Sequence, residues 1–367
     1  MKRAFLGALM IAMVMTVSAQ LPTQEEIKKD MQRVADWQIF HFRDDYGKGP
    51  NHISAGWVRG AFYVGLAKWA EMADSDKYYN WMKNIGEEEE WKLYPRKYHA
   101  DDHTPGRMYF ALYEKYGDKA MIEPTINQFK YMTYHPATSK LDWPSPFHHD
   151  RWSWCDALFM SPPVWVKVYN ETGDKRYLDF LMKEFRATTD FLFDEEESLY
   201  YRDQSYIGKK DNGTKIFWGR GNGWVFAGLA QILSDLDSET EEYEYFLGIY
   251  KKMAARLCEL QTPEGHWAMS LLGAEFYPTP ETSGSSFNIY GLAWGINNGV
   301  LKGKKYENAV IKGWNAMVGY INDEGMLGYV QPIGAAPGQA FPDKTQLYGA
   351  GAFLSAGAEV YKLVGSK

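Results

Sequence analysis

Cysteine and long apolar runs are both scarce in this sequence. Only two cysteines, Cys155 and Cys258, occur in 367 residues, too few for the disulfide framework that small exported domains use. We expect both to be buried thiols. Beyond the N-terminal segment, no uncharged apolar run is long enough to cross a bilayer. A disulfide-stapled fold and a membrane span are therefore not expected.

Concentrated positive charge and motifs for nucleotides or metals are also missing. The formal net charge is -7, without the basic stripe of a nucleic-acid-binding protein. The sequence contains no Walker loop, Rossmann glycine fingerprint, Gly-x-Ser-x-Gly elbow or His-Glu-x-x-His run. The pair His148-His149 has no acidic residue at the spacing of a helical metal site. We therefore expect a protein that binds no nucleic acid and works without a metal or cofactor.

Residues 1–19 have the layout of a bacterial secretory signal. The basic residues Lys2 and Arg3 precede a short apolar stretch, and small residues occupy positions 17–19 before Gln20. No cysteine follows the apolar stretch, so a lipoprotein anchor is not expected. We predict an exported protein, periplasmic or secreted, whose mature part begins at residue 20.

Aromatic residues are abundant, at 16% of the chain with 14 Trp and 26 Tyr. In an exported, mildly acidic protein this composition favours a carbohydrate ligand, because the apolar face of a sugar ring stacks on an indole. For any single Trp, packing in the core remains the commoner role.

Six segments share small residues and aromatics at helical spacing, and they recur about fifty to seventy residues apart, which fits one helical hairpin plus a loop. They are residues 57–72, 108–116, 156–169, 224–233, 287–300 and 349–361. Several are followed by a more polar helical stretch after a Gly-Asp turn, as at Gly173-Asp174. An inner helix and an amphipathic outer helix per repeat predict an all-α (α/α)6 toroid.

We predict that residues 20–367 form this toroid as a single catalytic domain, with small β-hairpins at its rim, for example at residues 199–201 and 327–330. An open solenoid is the competing architecture. Closure is favoured because the inner segments are rich in Gly and Ala, which pack closely about a central axis. The loops at the starts of the inner helices then form a bowl, where chemistry is expected.

Two carboxylates stand at the starts of consecutive inner helices. Asp102 lies in Asp-Asp-His-Thr-Pro-Gly-Arg at 101–107, and Asp156 lies in Trp-Cys-Asp-Ala-Leu-Phe-Met at 154–160. An Asp beside Pro and Gly is often only a helix cap. Asp156, however, stands in an apolar run where burial raises a carboxyl pKa and favours proton donation. We predict that Asp156 donates a proton and that Asp102 tunes it or orients substrate. Such a pair alone indicates glycosidase chemistry in general.

A third motif, Trp-Gly-Arg-Gly-Asn-Gly-Trp at 218–224, precedes another inner helix. Its glycines let the backbone turn tightly, and Arg220 offers a planar cation suited to a carboxylate. Trp218 and Trp224 offer stacking faces on either side. The alternative interpretation is a Gly-rich loop in which Arg220 forms a structural ion pair.

The predicted substrate-binding set also includes Trp143 and His149, which precede Asp156 in the sequence. The stretch 281–286 is rich in capping residues and precedes the fifth inner helix. We interpret this stretch as mainly structural, although it should line the bowl.

In combination, the three motifs resemble those of the unsaturated rhamnogalacturonyl hydrolases, glycoside hydrolase family 105, which are related to the unsaturated glucuronyl hydrolases of family 88. The likeness extends from about Trp37 to the C-terminus. It implies an (α/α)6 barrel in which the Asp matching Asp156 protonates C4 of a 4,5-unsaturated uronic acid and then helps water attack C5. The Asp matching Asp102 assists, and Arg220 with the two flanking indoles lines the uronate subsite.

The resemblance also implies a substrate, an oligosaccharide made by a polysaccharide lyase, of uronyl-rhamnose type from rhamnogalacturonan or ulvan rather than a glycosaminoglycan. Family members often carry a His before the Trp-x-Arg motif, whereas residues 201–206 here contain none. Two other interpretations remain open. One is an ordinary inverting glycosidase or a lyase on the same toroid, and the other is a carbohydrate-binding protein without catalysis.

Overall fold

The computed structural model describes residues 21–44, 53–142 and 148–366. Thirteen α-helices lie in these ranges: α1 Gln24–Phe40, α2 Trp57–Met72, α3 Lys77–Glu88, α4 Gly106–Tyr116, α5 Glu123–Tyr134, α6 Ala157–Met160, α7 Pro162–Thr172, α8 Lys175–Leu192, α9 Gly219–Asp235, α10 Glu241–Glu259, α11 Thr282–Asn297, α12 Lys304–Val318 and α13 Leu347–Gly365. Four two-residue strands form two antiparallel hairpins: β1 Phe193–Asp194 with β2 Leu199–Tyr200, and β3 Lys210–Asp211 with β4 Thr214–Lys215.

The inner helices form a closed ring. Helix α2 packs on α4, α4 on α7, α7 on α9, α9 on α11, α11 on α13, and α13 returns to α2. The short helix α6 and helix α7 together occupy one position in this ring, interrupted at Ser161 before Pro162. The remaining six helices lie outside, so the described chain is an (α/α)6 toroid. The predicted fold is confirmed, and the return of α13 to α2 excludes the open solenoid.

Burial separates the two rings as the sequence pattern predicts. In α11 every residue from Thr282 to Gly295 is buried, because this helix is covered on all sides. The outer helix α8 buries one face, with Leu178, Leu181 and Phe185 inside and charged residues between them. The outer helices therefore carry the solvent-facing surface, and the inner helices fill the centre.

Two glycines allow the ring to close. A Cβ atom at Gly65 of α2 would lie 2.0 Å from the carbonyl oxygen of Gly351 in α13. A Cβ at Gly351 would in turn lie 2.3 Å from the carbonyl oxygen of Ala61. The two backbones are thus in direct contact, a distance that only residues without a side chain permit.

Some element boundaries differ from the predicted ones. The inner helices predicted from residues 108, 224 and 287 begin earlier, at Gly106, Gly219 and Thr282. The predicted rim hairpin at 199–201 is present as β1–β2. The segment 327–330 contributes only an isolated bridge between Ile321 and Leu327. Tyr329 there has φ of 55°, which is not extended backbone.

The two thiols are both free in the described chain. Cys155 is buried as expected, whereas Cys258 on α10 is only half-buried and its Sγ lies 3.5 Å from the carbonyl oxygen of Lys305. Across the three described ranges, no helix is long and apolar enough to cross a membrane. The predicted signal at residues 1–19 and the predicted ligand contact Trp143 lie outside the described residues.

Candidate active site

Asp156 lies where the bowl meets the start of α6. It occupies the N-cap position of that helix, yet its side chain makes no capping hydrogen bond with the described chain. The residue is only 9% exposed. A carboxyl group that is buried without capping a helix has a role other than holding that helix, because burying a carboxylate costs free energy.

The first turn of α9 packs directly against this carboxyl group. The Sγ of Cys155 lies 3.2 Å from Asp156 Oδ1. A Cβ atom at Gly221 would lie 3.1 Å from the same sulfur and 3.7 Å from that oxygen. The glycine therefore lets the helix approach Asp156 closely.

Residues 219–224 were predicted as a tight turn before a helix. They instead form its first turns, and their glycines serve close packing.

Burial raises the pKa of Asp156 above its ordinary value, and two cations, Arg202 and then Arg220, oppose that shift. A carboxyl whose pKa is raised holds its proton to higher pH, as a general acid must. Asp156 therefore has the electrostatic setting of a proton donor.

Asp101 is the carboxyl that responds to Asp156. Burial, followed by the charges of Asp156 and Asp102, raises the pKa of Asp101 to about 7. Its Oδ2 lies 3.9 Å from Nδ1 of His99. Of the adjacent pair Asp101 and Asp102, only Asp102 was predicted from the sequence. The two adjacent carboxylates were a signal that could have pointed to Asp101 as well.

Asp102 is held by Arg96. The Nη2 of Arg96 donates to Oδ1 at 2.6 Å, while its Nε and its backbone nitrogen each lie 3.1 Å from Oδ2. The residue is 1% exposed. Both carboxylate oxygens are thus engaged in fixing the turn before α4. The charge of Asp156 contributes to the raised pKa of Asp101, whereas the pKa of Asp102 is shifted by burial and by Arg96.

Arg220 is also buried, at 1% exposed. Its Nη1 and Nη2 donate to the carbonyl oxygens of Gln331 and Pro332 at 2.6 and 2.9 Å. The guanidinium lies between the rings of Trp218 and Tyr348, at 4.5 and 4.9 Å from their centroids. Backbone carbonyls and aromatic faces, not the ion pair considered as an alternative, hold this cation.

The two indoles of the motif form the floor of the bowl. Trp218 is 2% and Trp224 1% exposed. The Nε1 of Trp218 donates to Oε1 of Gln331 at 2.9 Å, and Trp224 packs against Phe159 and Phe287 at 4.6 and 4.3 Å between ring centroids. Neither ring presents the open stacking face that was expected, because both rings are buried.

Arg202 was missed by the sequence analysis. Its backbone carbonyl accepts a hydrogen bond from the nitrogen of Cys155 at 2.8 Å, which places it beside the residue preceding Asp156. Its Nη1 lies 2.7 Å from Oδ2 of Asp203. No sequence pattern pointed to it, because the contact joins segments far apart in the chain.

Three aromatic side chains form a cluster that includes His99, the neighbour of Asp101. The rings of His99 and His149 are 4.5 Å apart between centroids, and each lies 5.2 Å from Trp154. His149, a predicted ligand contact, is half-buried here. It therefore reaches the carboxylates through His99.

Glu281 caps α11, as its sequence pattern indicates. Its carboxylate accepts hydrogen bonds from the backbone nitrogens of Ser283 and Gly284 at 3.2 and 2.7 Å, and from that of Gln331 at 3.2 Å. The last contact ties α11 to the segment that holds Arg220. The structural interpretation of residues 281–286 is confirmed at this position.

Known proteins match this chain over nearly its full length. The family described as Glycosyl Hydrolase Family 88 matches residues 20–364. A protein of Alteromonas sp. (strain LOR), described as an unsaturated 3S-rhamnoglycuronyl hydrolase, is 36% identical over 351 residues, covering 91% of this chain and 85% of the relative.

Two solved structures share the fold at 31% identity. One, described as a polysaccharide lyase, has a TM-score of 0.83 and covers 94% of this chain and 99% of its own. The other, glycosyl hydrolase family 88 from Bacteroides vulgatus, has a TM-score of 0.81 and covers 93% and 99%. With its toroid and its buried carboxylates, the chain belongs to glycosyl hydrolase family 88 and is a glycosidase.

Proposed function

We propose that this enzyme removes a 4,5-unsaturated uronic acid from the non-reducing end of lyase-made oligosaccharides, of uronyl-rhamnose type. The observation that carries the proposal is Asp156, a buried carboxyl that caps no helix within the described chain and stands beside a second carboxyl and a cation. The description of the Alteromonas relative supports an unsaturated, rhamnose-linked substrate. Ulvan and rhamnogalacturonan digests are the sources to test.

The reaction begins with protonation of the double bond. Asp156 gives its proton to C4, the electron pair of the double bond forms the new C–H bond, and the ring oxygen stabilises the positive charge at C5. Water then adds to C5 and returns a proton to the Asp156 carboxylate. The hemiketal formed at C5 opens, and the hemiacetal left at C1 releases the remaining sugar as an alcohol. One carboxyl serves both proton transfers.

Asp101 is the second carboxyl of this site. With a pKa of about 7, raised in part by the charge of Asp156, it retains a proton near neutral pH when Asp156 is ionised. Two interacting carboxyls titrate as a pair, so the charge on one opposes ionisation of the other. In this proposal Asp101 takes the tuning role that the sequence predicted for Asp102.

Three residues of the motif at 218–224, namely Trp218, Arg220 and Trp224, shape the floor of the bowl. Arg220 ties α9 to the segment at Gln331 and, with Trp218 and Trp224, fixes the first turns of α9 against Asp156. Their substrate contact is limited to the edges that the closed floor leaves accessible. His149 binds the sugar beside His99, and Trp143, which lies outside the described residues, stays a predicted ligand contact.

Export completes the proposed function. The signal layout of residues 1–19 directs the enzyme to the bacterial periplasm or the medium, where lyases act on polymers too large to enter the cell.

Ultraviolet absorbance tests the reaction, because the enol ether conjugated to the carboxylate absorbs and its hydration product does not. The wild type and an Asp179→Asn control, changed on the exposed face of α8, should lower the absorbance of an ulvan or rhamnogalacturonan lyase digest. Asp156→Asn should not. A lyase would raise the absorbance of intact polymer instead. An ordinary glycosidase would release reducing sugar from saturated chains without any change in absorbance.

A further inference from the structure

The cation that acts most strongly on Asp156 lies outside the Trp-Gly-Arg motif. Residues 202–203 run alongside residues 154–155, with an antiparallel bridge between Trp154 and Asp203. The backbone nitrogen of Cys155 donates to the carbonyl oxygen of Arg202 at 2.8 Å. Arg202 and the residue before Asp156 are therefore neighbours across one strand spacing, about 5 Å.

The guanidinium of Arg202 is held by a buried carboxylate and remains partly exposed. Its Nη1 lies 2.7 Å from Oδ2 of Asp203, which is 1% exposed and whose Oδ1 accepts from the backbone nitrogen of Ser205 at 2.8 Å. The guanidinium of an arginine is a planar fork of five N–H donors. The Arg202 side chain is 13% exposed, whereas Arg220 is 1% exposed as a residue. Of these two cations, Arg202 has the better access to a ligand.

The proposed reaction fixes where the substrate carboxylate must lie. In a 4,5-unsaturated uronic acid the carboxylate is bonded to C5, the atom next to the C4 that Asp156 protonates. A cation beside Asp156 is therefore within reach of this carboxylate, and a planar guanidinium can bind it through two parallel hydrogen bonds.

Resting on the proposed function, we propose that Arg202 binds the carboxylate of the terminal uronic acid, and that this ion pair keeps the proton on Asp156 in the substrate complex. In the free enzyme the Arg202 charge opposes the rise in the pKa of Asp156 caused by burial. A carboxylate bound to Arg202 neutralises that charge, so the pKa of Asp156 rises when substrate is bound. Binding of the substrate thus keeps Asp156 protonated for the transfer to C4.

Several charged and titratable groups surround Asp156. The charges of Arg202 and Arg220 lower the pKa of Asp156, and the charge of Asp203 raises it. Cys155 donates a hydrogen bond to Asp156, and the charge of Asp156 raises the pKa of Asp101. Of these, Arg202 is the cation proposed to meet the substrate carboxylate. Its effect on Asp156 therefore changes on binding, while Arg220 remains bonded to backbone carbonyls.

The kinetic test compares Arg202→Gln, Arg202→Lys and an exposed control, Arg43→Gln, on an unsaturated uronyl-rhamnose disaccharide across pH. Arg202→Gln should raise KM about 100-fold, as expected when a charge pair loses one partner, and Arg202→Lys about tenfold. In the wild type, kcat should fall at a higher pH than kcat/KM does. In Arg202→Gln the loss of kcat/KM should move to higher pH than in the wild type, because the free enzyme no longer feels the cation.

A binding measurement separates this proposal from the proposed function. Calorimetry with Asp156→Asn and Asp156→Asn/Arg202→Lys uses the disaccharide and its analogue with the uronate carboxyl reduced to an alcohol. The Arg202 change should weaken only the carboxylated ligand. Equal affinities for that ligand, or an unchanged KM with both pH limbs unmoved, would overturn the role of Arg202. Failure of the wild type to consume the double bond would overturn the proposed function instead.

Discussion

Arg96 binds both carboxylate oxygens of Asp102, through Nη2 at 2.6 Å and Nε at 3.1 Å. The neighbouring carboxyl, Asp101, has no such clamp in the described chain and is coupled to Asp156 instead. Two adjacent aspartates therefore have different tasks. Asp102 fixes the turn that leads into α4, and the proposal gives Asp101 the task of tuning Asp156.

Replacing each aspartate in turn distinguishes these tasks. Asp101→Asn should lower kcat by about 100-fold, because the site loses a carboxyl involved in proton transfer. Asp102→Asn should lower the free energy of unfolding by about 1–3 kcal/mol, because three hydrogen bonds with Arg96 are weakened or lost. Steady-state kinetics and denaturant unfolding measure the two effects. A catalytic loss confined to Asp102→Asn would contradict the assignment.

The same Asp101→Asn change should stabilise the fold at alkaline pH. The pKa of Asp101 is about 7 in the folded protein and ordinarily 3.8, so the folded state binds more protons between these values. Stability therefore falls as pH rises through this window, and the deficit is complete above about pH 7. At pH 8 the variant should be more stable than wild type by on the order of 4 kcal/mol. Near pH 4 the two should unfold alike.

Asp156→Asn should abolish turnover while leaving affinity for the disaccharide within a few-fold of wild type. The amide keeps the shape of the carboxyl but has no proton to give to carbon. Kinetics report the first effect and calorimetry the second. A variant that retains more than about a hundredth of the wild-type kcat would remove Asp156 from the role of general acid.

Helix α9 reaches the site because Gly228 lets it lie against α6. A Cβ atom there would stand 2.4 Å from the carbonyl oxygen of Leu158. Gly228→Ala should destabilise the fold by about 1–3 kcal/mol through overpacking. The matched change Gly248→Ala lies on the exposed face of α10, with nothing within 4 Å of the added carbon. It should stabilise by about 0.5–1 kcal/mol. Thermal unfolding of both variants checks the contrast.

The toroid could be predicted because each repeat shows its pattern within a short stretch of sequence. Small and aromatic residues at helical spacing mark each inner helix, and all six predicted segments overlap inner helices of the structure. The starts of α9 and α11 could not be placed, because their first turns carry glycines and serines that read as loop. Their helical state depends on packing: a Cβ at Gly219 would lie 2.4 Å from the carbonyl oxygen of Ala268.

The site was predicted in part, for a related reason. Asp156 stood out because its apolar neighbours are adjacent in sequence. The distinction between Asp101 and Asp102 depends on Arg96, and the position of Arg202 depends on a backbone contact with Cys155. Sequence patterns do not show which of two adjacent carboxyls a distant cation will bind. The same holds for Arg220, whose partners at Gln331 and Pro332 are over a hundred positions away.

The central claim is that the enzyme acts on the double bond and not on the glycosidic bond directly. Two disaccharides that are identical except for the 4,5-double bond test it, with release of rhamnose measured for each. The account predicts that the wild type releases rhamnose from the unsaturated disaccharide alone and that Asp156→Asn releases it from neither. Comparable release from the saturated disaccharide would contradict the account and would establish ordinary glycosidase chemistry at this site.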